Sequence, residues 1–127
     1  MEKYELSYNE EEDILHLKIM GVMESEDIRE LMPRLQKMFE GKARRYAIVD
    51  MSESVQLDSK IMTKEMRETY KEMGNLMDAD KSVIIGATPV LRMIARIVIA
   101  ITGKAKTTQF FKTKEEGLAW LKGEVKR

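Results

Sequence analysis

The sequence contains no cysteine. That excludes disulfides, thiolate metal ligands and a cysteine nucleophile, and it suits a reducing compartment. It contains one histidine, His16, too few for a histidine metal cluster or a catalytic histidine pair. Two prolines and seven glycines are spread thinly, without a linker, a repeat or a low-complexity tract. Aromatic residues make up only 6%, and no basic-aromatic cluster of the kind that binds nucleic acid is present. The opening residues Met1–Glu5 lack the apolar run of a signal peptide. The most apolar segment, Val90–Ile101, is too short to span a bilayer. There is no Gly-x-Ser-x-Gly elbow, phosphate-cradling glycine loop or dinucleotide fingerprint. These absences predict a cytoplasmic binding protein without catalytic residues, metal, cofactor or nucleic-acid partner.

What is present fits one globular domain. A chain of 127 residues buries roughly two thirds of its unfolded surface, enough for one core. Charged residues make up 35% and cancel to zero, but they are unevenly spread. Residues 1–30 hold ten acidic against three basic side chains, and residues 81–127 hold three acidic against ten basic. This either follows from where charged helices fall or marks an oriented contact with a partner.

Hydrophobic periodicity divides the chain. Tyr4–Tyr8 and Ile14–Met20 alternate as strands around the charged turn Asn9–Asp13, giving an antiparallel hairpin. His16 and Lys18 fall on the polar face of the second strand, so His16 is expected to be exposed. Ser25 reads as the cap of a helix carrying Ile28, Leu31, Met32, Leu35, Met38 and Phe39, with a kink or a displaced first turn expected at Pro33 and a stop at Gly41. Tyr46–Met51 is an apolar strand. Asp58 or Ser59 is expected to cap a long helix reaching about Asp78. Lys81–Gly86 is a buried strand, and Thr88-Pro89 opens a helix that Gly103 stops. Lys106–Phe111 is a strand, and Thr113–Glu116 is a capping box for the last helix. The order is β-β-α-β-α-β-α-β-α. It predicts a single α/β domain over residues 1–127, with a mixed, mostly parallel five-stranded sheet whose first strand is antiparallel.

Such sheets place their sites in loops at the carboxyl ends of parallel strands. The candidate binding residues there are Asp50, Ser52, Asp58, Ser59, Thr88 and Arg92. Asp50 and Asp58 could pair for acid–base work, or bond loop amides and cap a helix. Arg92, in a first helical turn, opposes the positive end of the macrodipole and calls for an acidic partner, with Asp50 or Asp58 nearest. A second candidate region is apolar. Val90–Ile101 is apolar around most of its circumference, where a helix on a sheet normally buries one stripe. Met62, Met66 and Met73 line the preceding helix together with Met77, a stripe that fills core or forms an adaptable wall. Either neighbouring helices cover Val90–Ile101 fully, or Met62, Met66, Met73, Ile94, Ile97, Val98 and Ile101 line a ligand pocket or membrane contact or an interface with a second copy.

Four segments carry a family resemblance. They are Ala47-Ile48-Val49-Asp50-Met51-Ser52, Leu57-Asp58-Ser59, Gly86-Ala87-Thr88-Pro89 with Arg92-Met93-Ile94-Ala95-Arg96, and Phe110–Leu121. Together with the element order they resemble the STAS domain (sulfate transporter and anti-sigma factor antagonist), most closely its SpoIIAA-like branch, which is grouped with the CRAL-TRIO lipid-transfer fold. The resemblance implies a regulatory protein-interaction module without catalysis, and the apolar circumference of Val90–Ile101 predicts that it forms a homodimer. A carrier or sensor of a lipid-like ligand is the alternative. Anti-sigma factor antagonists carry Asp-Ser-Ser-Gly at the helix start, with the second serine phosphorylated. This chain reads Asp58-Ser59-Lys60-Ile61, with Lys60 at the acceptor position, so the resemblance does not extend to that switch.

Overall fold

Alternation in the first two strands produces the hairpin. β1 (Tyr4–Asn9) runs antiparallel to β2 (Ile14–Ile19), with Leu6 opposite Leu17 and Tyr8 opposite Leu15. The turn between them closes on Asp13, which takes the left-handed conformation at φ 59°. Aspartate tolerates that conformation better than most residues. The Asn9 side chain accepts the Glu12 amide at 3.0 Å. In the computed structural model, residues 2–54 and 63–123 are described.

The rest of the sheet is parallel. β3 (Tyr46–Asp50), β4 (Lys81–Ile85) and β5 (Thr108–Phe111) follow β2, so order in space is order in the chain, with only β1 antiparallel. Three successive crossovers of one hand put their helices on one face. These are α1 (Ser25–Phe39), α2 (Lys64–Met73) and α3 (Pro89–Thr102). Their core joins Leu15, Leu17, Val49 and Ile84 of the sheet to Ile28, Leu31, Leu35, Met66, Leu91 and Ile94. The opposite face carries α4 (Lys114–Leu121), which packs Leu121 on Ile14, Ile48, Val83, Ile85 and Phe111.

The sequence order also sets the electrostatics. The acidic first quarter of the chain supplies the β1 edge of the sheet, and the basic last third supplies the β5 edge.

Several boundaries differ from the sequence reading. Glu24, not Ser25, is the cap of α1, because the Asp27 carboxylate accepts the Glu24 amide at 2.8 Å. Ser25 is instead buried, with its hydroxyl 3.3 Å from the Met66 sulfur. The helix runs on through Pro33 to Phe39, and Gly41 follows in the left-handed conformation. Thr63 caps α2, its hydroxyl accepting the Met66 amide at 3.1 Å. The long helix also ends at Met73 rather than near Asp78, passing into a 3₁₀ turn at Gly74–Leu76. Crowding accounts for Gly74: a Cβ there would lie 2.7 Å from the Thr102 methyl. β5 begins at Thr108, after a 3₁₀ turn at Ala105–Thr107. Thr88, Pro89, Gly103 and Thr113 occupy the capping positions read from the sequence.

Candidate functional site

The loops at the carboxyl ends of β3 and β4 come together. Asp50 ends β3, and its carboxylate accepts both the amide and the hydroxyl of Ser52, at 2.9 and 2.6 Å. Gly86 ends the neighbouring strand at φ +71°, and a Cβ there would lie 2.7 Å from the Ser52 Cβ. Only glycine combines that conformation with that approach. Thr88 caps α3, accepting the Leu91 amide at 3.3 Å. The expected ion pair between Asp50 and Arg92 is not formed. Asp50 is taken up by Ser52, while the Arg92 guanidinium lies over the Phe110 ring, 5.6 Å from its centroid. Arg96 lies 5.4 Å from the same centroid. Facing an aromatic ring stabilises a cation without a carboxylate. The Nε of Arg92 is buried and has no hydrogen-bond partner among the described residues. Asp58, Ser59, Lys60 and Met62 lie outside the described residues.

His16 is not the exposed side chain its place beside Lys18 suggests. It shares the α4 face of the sheet with Ile14 and Ile48, and its side chain is 23% exposed. Its Nε2 lies 3.8 Å from the Glu12 carboxylate and makes no hydrogen bond among the described residues. Burial, then the Lys114 ammonium, lower its pKa, against an upward pull from Glu12. Among the described residues no three His, Cys, Asp or Glu side chains are grouped to hold a metal ion.

The apolar helix α3 buries only part of its circumference. Leu91, Ile94 and Ala95 are buried, Val90, Ile97, Val98 and Ile101 are half-buried, and Met93 stands 47% exposed. At 3.6 residues per turn, Val90, Met93, Ile97 and Ile101 fall on one flank. Arg92 and Arg96 fall on another, towards Phe110. Among the described residues, no helix is long and apolar enough to cross a membrane.

Between the three helices and the sheet lies a cavity of about 160 Å³, partly open to solvent. Met66, Ile94 and Val98 of the apolar candidates line it, whereas Met73, Ile97 and Ile101 do not. Further wall residues are Leu31, Met32 and Leu35 of α1 and Tyr70 of α2. Burial pushes the Tyr70 hydroxyl up to about 12, so the phenol stays a neutral donor at ordinary pH. The cavity also reaches Ser82, Thr108 and Lys104, none of which the sequence reading singled out.

The fold has known relatives. The family model for SpoIIAA-like proteins matches residues 14–122. The chain belongs to the SpoIIAA-like family. Among solved structures it is similar to a protein of the DUF3478 family with a SpoIIAA-like fold from Shewanella loihica PV-4. That match has 20% identity over 93% of this chain and 91% of the other, with a TM-score of 0.60. The anti-sigma factor antagonist SpoIIAA in its unphosphorylated form matches at 14% identity, over 97% and 99% of the two chains, with a TM-score of 0.57. An anti-sigma-factor antagonist (STAS) domain protein from Planctomyces limnophilus matches at 11% identity, over 94% and 97%, with a TM-score of 0.55. No curated protein matches the chain. At these identities the likeness to solved structures is one of fold.

Proposed function

We propose that this SpoIIAA-like domain is a non-enzymatic regulatory module that works by protein contact, and that it pairs with a second copy through α3. The carrying observation is the flank Val90, Met93, Ile97 and Ile101, which its own chain leaves exposed or half-buried. Soluble proteins seldom leave a contiguous apolar strip uncovered. Closed two-fold pairing is the commonest way to cover one. Arg92 and Arg96 do not oppose this pairing, because they lie on the other flank against Phe110. The SpoIIAA-like family and the anti-sigma factor antagonists among the solved structures support a regulatory role. Sedimentation velocity of the chain and of Met93→Glu/Ile97→Glu tests the pairing. The expected result is a dimer that the double substitution converts to a folded monomer.

A second reading rests on the cavity. Its volume of about 160 Å³ compares with the roughly 150 Å³ apolar cavity that admits benzene. Under this reading the domain also holds a small, largely apolar molecule between its helices and sheet. Methyl NMR with an apolar probe such as octanol tests it through the cavity methionines Met32 and Met66. Unmoved methyl signals at saturating octanol count against it.

A further inference from the structure

One end of the cavity differs from the rest. Ser82 is the second residue of β4 and pairs in register with Thr108, the first of β5. Both therefore lie at the amino ends of the strands, away from the loops at Asp50 and Gly86. Lys104 follows the end of α3 and leads through the 3₁₀ turn into β5, so it falls at this same end. Tyr70 stands in the closing turns of α2, whose chain then leads to the start of β4. All four residues line the cavity.

These groups share a chemistry. Ser82 is only 7% exposed, yet its hydroxyl makes no hydrogen bond among the described residues. The hydroxyls of Tyr70 and Thr108 likewise make none, and Lys104 joins no ion pair among the described residues. Tyr70 and Thr108 are half-buried, and hydroxyls that line an open space without a partner among the described residues are free to bond a polar group that enters it. Each of the four can donate a hydrogen bond, one of them from a cation. Among the described residues, no aspartate or glutamate lines the cavity. Apart from Gly21 and Thr102, whose hydroxyl donates to the Val98 carbonyl at 2.9 Å, the remaining described wall is aliphatic or methionine.

We infer that the cavity binds a small monocarboxylic acid, with its carboxylate among Lys104, Ser82, Thr108 and Tyr70 and its apolar body running towards Met66. This rests on the second reading above and adds the ligand's class and orientation. A volume of about 160 Å³ suits an apolar body of roughly six to ten carbons, part of it reaching the open side.

The test compares octanoate with octanol on the full chain, following the methionine methyl signals by NMR. Octanoate is expected to move Met32 and Met66 but not the exposed Met93, and to bind more tightly than octanol. Lys104→Gln should weaken octanoate about ten-fold, the loss of one charge-assisted hydrogen bond, and leave octanol unchanged. Because Lys104 is not part of the buried core, the variant is expected to fold, which an unchanged amide spectrum verifies. Ser82→Ala should weaken octanoate as well. Equal binding of octanoate and octanol, or octanoate binding indifferent to Lys104→Gln, overturns the carboxylate while leaving the apolar site. Failure of both probes to move Met32 and Met66 overturns the site and the inference together.

Discussion

Gly117 of α4 lies so close to Val83 of β4 that a Cβ on the glycine would stand 2.6 Å from the Val83 Cγ1. Val83 is fully buried, and its branched side chain has no room to move aside. Helical propensity favours Gly117→Ala by up to about 1 kcal/mol, but overpacking costs roughly 1–3 kcal/mol. The substitution is therefore expected to destabilise the domain. Combined with Val83→Ala, it should cost less than the two changes added separately. Denaturant unfolding of the four proteins gives the coupling directly, and strict additivity would show that the contact does not limit the approach of α4.

The start of α1 is fixed from outside the helix. The Lys3 ammonium lies 2.9 Å from the Asp27 carboxylate, which also accepts the Glu24 amide at 2.8 Å. Burial alone would raise the Asp27 carboxyl, but Lys3 and the Glu24 amide outweigh it and hold it below its ordinary value. Asp27→Asn should cost about 1 kcal/mol, the usual scale for a helix cap. The loss should grow smaller in acid. A folded-state pKa held low stabilises above the unfolded value near 3.8, and that stability disappears as pH falls through the folded value. Chemical denaturation at neutral pH and near pH 3 checks this. An equal difference between the two proteins at both pH values contradicts it.

His16 adds a second, separate pH dependence. Its folded-state pKa lies below the ordinary 6.5 because the ring is buried and faces Lys114. The unfolded chain therefore takes up the proton first as pH falls. Stability from His16 is present above about 6.5 and lost as pH drops through the folded value. His16→Gln should flatten the fall in Tm between about pH 7.5 and about pH 5. Parallel Tm curves for the two proteins would mean that the imidazole is not coupled to folding.

How much of this was legible depends on whether the signal was local. Thr88, Pro89 and Gly103 mark α3 because a cap, a preset φ and a left-handed stop each act within one turn. The antiparallel hairpin is legible from residue alternation, and the parallel remainder from strands alternating with helices. At the start of α1 serine is the commoner cap, so Ser25 stands out in the sequence, whereas the reciprocal Glu24–Asp27 capping box sets the cap one residue earlier. His16 looked exposed because its neighbour Lys18 is polar, whereas the covering helix lies at the other end of the sequence. Charge alone pairs Arg92 with Asp50 or Asp58, but Asp50 is taken up by Ser52 and the Phe110 ring faces Arg92, while Asp58 lies outside the described residues. The polar end of the cavity was hidden for a similar reason. Ser82 and Thr108 become neighbours only through parallel pairing, and Tyr70 sits between Met66 and Met73 in a stripe that reads as apolar.

The most direct test of the account concerns α3. Its outward flank is the surface through which the domain is proposed to act, so the association state of the chain decides the matter. Sedimentation velocity across the micromolar range, run on the unmodified chain and on Met93→Glu/Ile97→Glu, is that measurement. The account expects a reversible dimer that the double substitution turns into a monomer with unchanged circular dichroism. An unmodified chain that stays monomeric throughout that range would contradict it.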